Sequence, residues 1–126
     1  MDTLEKQQLV KRYIAAYNTF DIEGMLATLS ADVAFQNLSA GQVTAQADGK
    51  DAFRALAEKA CGLFSEREQT VVSLQAVEDT LVADIAYRGR LAVDVGDTRA
   101  GTLIALAGQS VFSFGDGRIT RVIDHS

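Results

Sequence analysis

The segment RITRVIDH carries the carboxyl group best placed for chemistry. Asp124 follows Val122 and Ile123 in this segment and is expected on a buried strand. Burial penalises the ionised form of a carboxyl and raises its pKa, so the group can exchange protons near neutral pH. The sequence therefore predicts Asp124 as an acid/base group. The competing interpretation is a solvated carboxylate close to the last residue.

Three other polar side chains could assist such a group. Tyr13 and Tyr17 are one helical turn apart, so either hydroxyl could reach a site beside that face of the helix. Alternatively, both are core residues with satisfied hydroxyls. Asn37 cannot be a base, because an amide takes up no proton in the useful range. It could orient a ligand carbonyl or a water, or it could make a structural hydrogen bond.

The sequence lacks the residues that several other classes of chemistry require. The chain has no glycine-rich phosphate loop, no cluster of metal ligands and a single histidine, so nucleotide, metal and Ser-His-Asp chemistry are not expected. Cys61 has no second cysteine for a disulfide. The net charge of −5 offers no basic surface for a phosphate backbone. We expect no metal, no cofactor and no nucleic-acid partner.

Length and hydropathy predict one domain over residues 1–126, with 48% hydrophobic residues to fill its core. The opening MDTLEKQQLVKRY is charged and does not resemble a signal peptide. No apolar run approaches the roughly 20 residues of a membrane span. The expectation is a cytoplasmic protein with no membrane partner.

Helical periodicity dominates the first half of the chain. Apolar residues from Leu4 to Tyr17 predict a first helix, and Asp21 is expected to cap a second one containing Met25 and Leu26. Helical spacing returns from Asp51 to Phe64. Strands are predicted between these helices, at Asp32–Leu38 and at Gln42–Ala47.

Alternating and β-branched residues dominate the second half. They predict strands near 69–78, 80–93 and 100–114, and a last strand from Arg118 to His125. Asp116-Gly117 is a strong signal for a tight hairpin between the last two strands. Helices followed by strands predict an α+β fold.

Two stretches carry a family resemblance. LVKRYIAAYNTFDIEGMLATLSADVAFQN and VFSFGDGRITRVIDH resemble the opening and the closing hairpin of the nuclear transport factor 2-like superfamily, in its SnoaL-like and ketosteroid isomerase-like branch. The resemblance covers nearly the whole chain. It implies a cone-shaped fold in which helices pack on a curved, mostly antiparallel sheet around an apolar pocket for a small apolar molecule.

Strand parity predicts which side chains face that pocket. If Asn37 points inward, so does Phe35, and each later strand contributes its own inward set. Besides Tyr17 of the first helix, the expected ligand-binding residues are Phe35, Leu81, Ala83, Ile85, Tyr87, Ser110, Phe112 and Val122.

The best-known activities of the superfamily do not transfer residue by residue. Asn37 stands where ketosteroid isomerases carry their general-base Asp, and Ser110 stands where they carry a second Asp; only Tyr13 matches. Asn37 also resembles the water-holding Asn of limonene epoxide hydrolase, but those enzymes need an inward Arg and Asp on a middle strand. In VADIAYRGR, Asp84 and Arg88 should point outward.

Asp124, by contrast, matches the position where SnoaL-like polyketide cyclases and limonene epoxide hydrolases carry a working Asp. The resemblance therefore implies a cofactor-free isomerase, cyclase or lyase with Asp124 as acid/base and Tyr13 and Asn37 as hydrogen-bonding partners. The alternative is a non-catalytic ligand-binding or dimeric scaffold domain of the same fold.

The outward set of the strand near 100–114 is almost as apolar as its inward set. Leu103, Ala105, Ala107 and Val111 make up this outward set. A strand that is apolar on both faces is normally covered on both. We expect a homodimer through the outer face of the sheet, unless a bulge near Gly108 changes the parity.

Overall fold

The chain begins with two helices whose first turns follow local capping chemistry. α1 spans Thr3–Asn18; the carboxylate of Asp2 accepts a hydrogen bond from the backbone N–H of Glu5 at 2.8 Å, and the Glu5 side chain accepts from the Asp2 N–H. α2 spans Ile22–Ala27 and is capped by Asp21, as predicted, through a 2.9 Å bond from the Gly24 N–H. All 126 residues are described in this computed structural model.

One mixed sheet of six strands forms the rest of the fold. Its strands are β1 (Leu29–Ser39), β2 (Gln42–Asp48), β3 (Phe64–Val77), β4 (Thr80–Leu91), β5 (Leu103–Gly115) and β6 (Arg118–His125), and α3 (Lys50–Cys61) lies between β2 and β3. The strand order is β2-β1-β6-β5-β4-β3. Only β1 and β6 are parallel. The predicted α+β class is confirmed, and the sheet is open rather than a closed barrel.

Two tight turns join neighbouring strands. Asp116 and Gly117 connect β5 to β6 with φ of 52° and 75°, and Ala40 and Gly41 connect β1 to β2 with φ of 52° and 80°. Two successive residues at positive φ match the twist of a hairpin and favour glycine at the second position. The predicted Asp-Gly hairpin is confirmed.

Some predicted boundaries were wrong. β1 begins at Leu29, three residues earlier than expected, and α3 ends at Cys61 instead of continuing to Phe64. Phe64 opens β3, where it is paired with Leu91 of β4. The polar stretch Ser65–Thr70 has little strand character of its own, but pairing with β4 extends the strand through it.

The core lies between the helices and the concave face of the sheet. Val10 and Ile14 of α1 meet Phe112 of β5 and Val122 of β6 in one cluster of buried side chains. Register shifts at Asn37/Leu38, Val71/Ser73 and Ser113/Phe114 bend the strands. None of the three helices has the length and apolarity to cross a bilayer.

Candidate functional site

A cavity of about 400 Å³ opens between the three helices and one end of the curved sheet. Apolar and aromatic residues make up most of its wall, and polar residues are interspersed among them. The polar or ionisable residues along the wall are Tyr13, Tyr17, Asn37, Arg67, Gln69, Tyr87, Gln109, Ser110, Asp124, His125 and Ser126. The side chain of Gln109 is bonded to Asp84 on the outer face of the sheet, so it does not serve the cavity. A site of this size and composition suits a small, largely apolar molecule.

The strand register places three of the predicted polar groups side by side. Asn37 of β1 is opposite Asp124 of β6, and Asp124 is opposite Ser110 of β5. Side chains at facing positions of adjacent strands point to the same side of a sheet. Asn37, Asp124 and Ser110 therefore form a row across the inner face.

Asp124 is held by a short hydrogen bond and partly withdrawn from water. The Ser110 hydroxyl donates to its Oδ1 at 2.6 Å. Burial raises the pKa of Asp124 from 3.8 to about 6, although the Ser110 bond and the nearby His125 act to lower it. A carboxyl with this pKa is mostly ionised at neutral pH and is a stronger base than an exposed one.

Tyr13 supplies a protonated hydroxyl to the same cavity. Its side chain is buried, and its ring packs against Phe112 and Phe53 at 5.8 and 6.4 Å between ring centres. Burial first, and the charge of Asp124 second, raise the pKa of Tyr13 well above its ordinary value. The hydroxyl has no hydrogen-bond partner in the chain and is not sealed from the cavity. Tyr13 can therefore donate a hydrogen bond to a ligand.

Asn37 makes the structural hydrogen bond that was its alternative role. Its side-chain nitrogen donates to the Thr44 hydroxyl at 2.8 Å, and that hydroxyl donates to the backbone oxygen of Asn37 at 3.2 Å. The pair joins β1 to β2 beside the register shift at Asn37/Leu38. The amide oxygen of Asn37 has no partner in the chain and can accept a hydrogen bond from a ligand or a water.

The predicted ligand-binding residues divide into two groups. Tyr17, Phe35, Ile85, Tyr87 and Ser110 line the cavity. Leu81, Ala83, Phe112 and Val122 do not line it; they face inward but are fully enclosed in the core. Alternation along a strand predicts which face of the sheet a side chain is on. It does not predict how far along the strand the cavity extends. These four residues belong to the same buried cluster as the α1 side chains Leu9, Val10, Tyr13 and Ile14.

Gly108 lets the end of β6 lie close against the middle of β5, beside Asp124. The register between β4 and β5 is continuous through Gly108, so the bulge considered there is wrong, and the shift occurs at Ser113/Phe114. A Cβ atom on Gly108 would be 2.6 Å from the backbone oxygen of His125. Only glycine allows this approach without movement of the backbone.

Arg67 is a charged residue among the several lining residues that the sequence interpretation missed. It is 6% exposed, and its guanidinium carbon is 3.7 Å from the ring centre of Tyr17 and 4.5 Å from that of Phe20. Arg67 is in the polar stretch Ser65–Thr70, whose composition gave no sign of a buried side chain. The usable signal was alternation: counting back by twos from Val71 places Gln69 and Arg67 on the inner face.

Metal ligands do not gather anywhere in the chain, since no three His, Cys, Asp or Glu side chains come together. The polar groups of the cavity are suited instead to hydrogen bonding and proton transfer. The acid/base candidate Asp124, the donor Tyr13 and the cation Arg67 border the same space.

Solved structures with the same fold include two candidate polyketide cyclases. The one from Xanthomonas campestris is 24% identical, with a TM-score of 0.84 over 98% of this chain and 90% of the other. The one from Silicibacter is 27% identical, with a TM-score of 0.79 over 94% and 86%. An LEH-like epoxide hydrolase from M. tuberculosis is 19% identical, with a TM-score of 0.78 over 98% and 83%.

No curated protein matches the sequence. The family model described as the SnoaL-like domain matches residues 10–122, from the middle of α1 to Val122 of β6. This span contains the fold except for the first part of α1 and the last three residues of β6, and it contains the cavity lining except for Asp124, His125 and Ser126. The chain belongs to the SnoaL-like domain family.

Proposed function

We propose that the protein is a cofactor-independent isomerase, cyclase or lyase that acts on an apolar carbonyl compound, with Asp124 as the acid/base. The observation that carries this proposal is Asp124 itself, a carboxyl on the wall of an apolar cavity with its pKa raised to about 6. The candidate polyketide cyclase from Silicibacter supports a carbonyl substrate.

The first step is removal of a proton from the carbon next to a carbonyl. The Asp124 carboxylate takes the proton and becomes a neutral acid, and the electron pair of the C–H bond moves to the carbonyl oxygen. The Ser110 bond fixes one carboxylate oxygen, Oδ1, and leaves Oδ2 for the substrate. A positioned carboxyl with a pKa near the working pH is efficient in this step.

Tyr13 stabilises the enolate oxygen that results. Its raised pKa keeps the hydroxyl protonated, so it donates a hydrogen bond and does not give up its proton. A donor fixed in a water-poor site stabilises developing negative charge far better than it would in water. Asn37 contributes its amide oxygen as an acceptor for a substrate hydroxyl or a water.

The fate of the proton distinguishes the three reaction types. An isomerase returns it from Asp124 to another carbon. A cyclase joins the enolate carbon to a second carbonyl carbon, whose oxygen then takes the proton. A lyase lets a leaving group depart from the neighbouring carbon with that proton. All three begin with the same proton removal and need no redox partner.

A deuterium-exchange assay tests this shared step. The protein is mixed with 2-tetralone, an apolar enolisable ketone, in heavy water, and exchange next to the carbonyl is followed by NMR. We expect Asp124→Asn to slow the catalysed exchange by about 100-fold or more. The matched control is Asp84→Asn, since Asp84 is an exposed carboxyl on β4 that bonds to Ser73 and Gln109.

Two results would contradict the proposal. If Asp124→Asn exchanges at the wild-type rate, Asp124 is not the base. If the ketone binds in the cavity and wild-type protein leaves its exchange rate at the background value, the alternative function is favoured, a non-catalytic domain that only holds a small apolar molecule.

A further inference from the structure

Arg67 is a buried cation with no carboxylate partner. The two ion pairs of the chain join other arginines, Arg54 with Glu23 and Arg90 with Glu66, and both are at the surface. Arg67 is 6% exposed and has no carboxylate within 4.0 Å. Burying a charge without a counter-charge is costly, so such a residue calls for an explanation.

Neutral neighbours hold the guanidinium in place and leave its charge uncompensated. Nε donates to the backbone oxygen of Tyr17 at 3.1 Å, and Nη2 lies 3.7 Å from the Cys61 sulfur. The rings of Tyr17 and Phe20 cover the guanidinium. These contacts fix the orientation of the group, as stacked arginines require.

Part of the guanidinium is unpaired within the chain, and Arg67 borders the cavity as well as a smaller polar pocket that Glu66, Glu68 and Arg88 also line. Nη1 makes no hydrogen bond within the chain and is not among the fully enclosed polar atoms, while Arg67 lines the cavity. The adjacent inward residue of β3, Gln69, lines the same wall, and its backbone is held by the side chain of Asn18. Arg67 is therefore an oriented cation with unused N–H groups at the edge of an apolar space.

We propose that Arg67 binds a carboxylate on the ligand, so that the molecule taken up by the cavity is an apolar carbonyl compound that also carries an acid group. A planar guanidinium matches the two oxygens of a carboxylate better than any other common side chain does. The cavity has room for an apolar body in addition to this group. The acid is the substrate only if the proposed function holds; its binding can be measured without turnover.

Two probes of the same shape separate charge from apolar burial. 2-Naphthoate carries a carboxylate where 2-naphthamide carries a neutral amide. Their binding is measured by calorimetry at about pH 8, where Asp124 and the ligand acid are both ionised. We expect the wild-type protein to bind the acid about tenfold more tightly than the amide. Arg67→Gln should abolish this preference and leave amide binding nearly unchanged.

Arg88→Gln is the matched control, because Arg88 is an exposed arginine on the adjacent strand and its loss changes the net charge equally. This variant should keep the preference for the acid. Arg67→Lys should recover only part of it, since an ammonium group does not present a planar pair of donors.

A measurement on unmodified protein guards against misfolding of the variants. In ¹⁵N-labelled wild-type protein, 2-naphthoate should shift the backbone signals of Arg67 and Gln69, and 2-naphthamide should shift them less. Equal affinity for the two probes, failure of the acid to bind, or a preference that persists in Arg67→Gln would overturn the proposal. Asp124→Asn should retain the preference even where exchange is lost, so the two proposals fail separately.

Discussion

At the scale of single residues, the charge state of Asp124 should set the pH dependence of activity. The proposed base works only when ionised, so the exchange rate should rise with pH through a midpoint near its pKa of about 6. Ser110→Ala removes a hydrogen bond that favours the ionised form and should move the midpoint upward. The rate is measured from about pH 4 to pH 9. Ser73→Ala, which removes a hydroxyl from Asp84 on the outer face, should leave the midpoint unchanged.

The same residue should make the fold less stable as the pH rises. The pKa of Asp124 is higher in the folded state than the ordinary 3.8. Its contribution to the free energy of unfolding is therefore fully favourable below pH 3.8 and is lost as the pH rises through about 6. The total loss is at most about 3 kcal/mol. Urea unfolding at about pH 4 and pH 8 should show Asp124→Asn gaining stability over wild type by up to that amount at the higher pH. If Asp124→Asn gains the same stability over wild type at both pH values, the raised pKa of Asp124 is contradicted.

Residue chemistry could be predicted from sequence where it depends on near neighbours. Asp21 caps α2 and Asp116-Gly117 turns the chain because both depend only on local backbone geometry. Asp124 could be placed beside apolar residues on a strand, but the proximity of Ser110 depends on the pairing of β5 with β6. Arg67 could not be identified as a buried cation, because Tyr17 and Phe20 reach it only when the end of α1 and the residues after it pack against β3.

At the scale of elements, one side chain fastens α1 to the edge of the sheet. Asn18 donates from its amide to the Gln69 carbonyl oxygen at 3.0 Å and accepts from the Gln69 N–H at 2.7 Å. Asn18→Ala should reduce the free energy of unfolding by about 1 to 3 kcal/mol, because two partly buried backbone groups lose their partner. Gln8→Ala, an exposed amide on the same helix, should change it by less than about 0.5 kcal/mol. Chemical unfolding of both variants measures the difference.

This attachment also has consequences for the cavity. Tyr17 precedes Asn18 on α1, and its backbone oxygen accepts the Arg67 Nε–H. If the end of α1 moves away from β3, the ring stack over Arg67 opens with it. The helices and strands could be predicted from the spacing of their apolar residues, but their ends could not. The start of β3, for example, is determined by its pairing with β4. The cavity depth depends in the same way on how far α1 fills the cone.

At the scale of the whole molecule, the outer face of the sheet has apolar side chains in contact with solvent. Leu103 is 47% exposed and Val72 is 69% exposed, and the outward residues Ala105 and Ala107 of β5 are also exposed. On the same face, Asp84 has its carboxylate oxygens satisfied by Ser73 and Gln109. A hydrogen-bonded polar group can be enclosed in an interface at lower cost than an unpaired one.

We propose that a second copy of the chain covers this face. The wild-type protein should then sediment as a dimer at micromolar concentration, and Leu103→Asp should shift it toward the monomer, because a desolvated, unpaired carboxylate at an apolar interface costs several kcal/mol. Leu4→Asp is the matched control; Leu4 is 61% exposed on α1 and lies outside the sheet. A wild-type protein that sediments as a monomer, or a dimer that Leu103→Asp leaves intact, would contradict the proposal. Because the cavity lies on the concave face, the Leu103→Asp monomer should keep its preference for 2-naphthoate, and loss of that preference would mean that the partner copy helps to form the site.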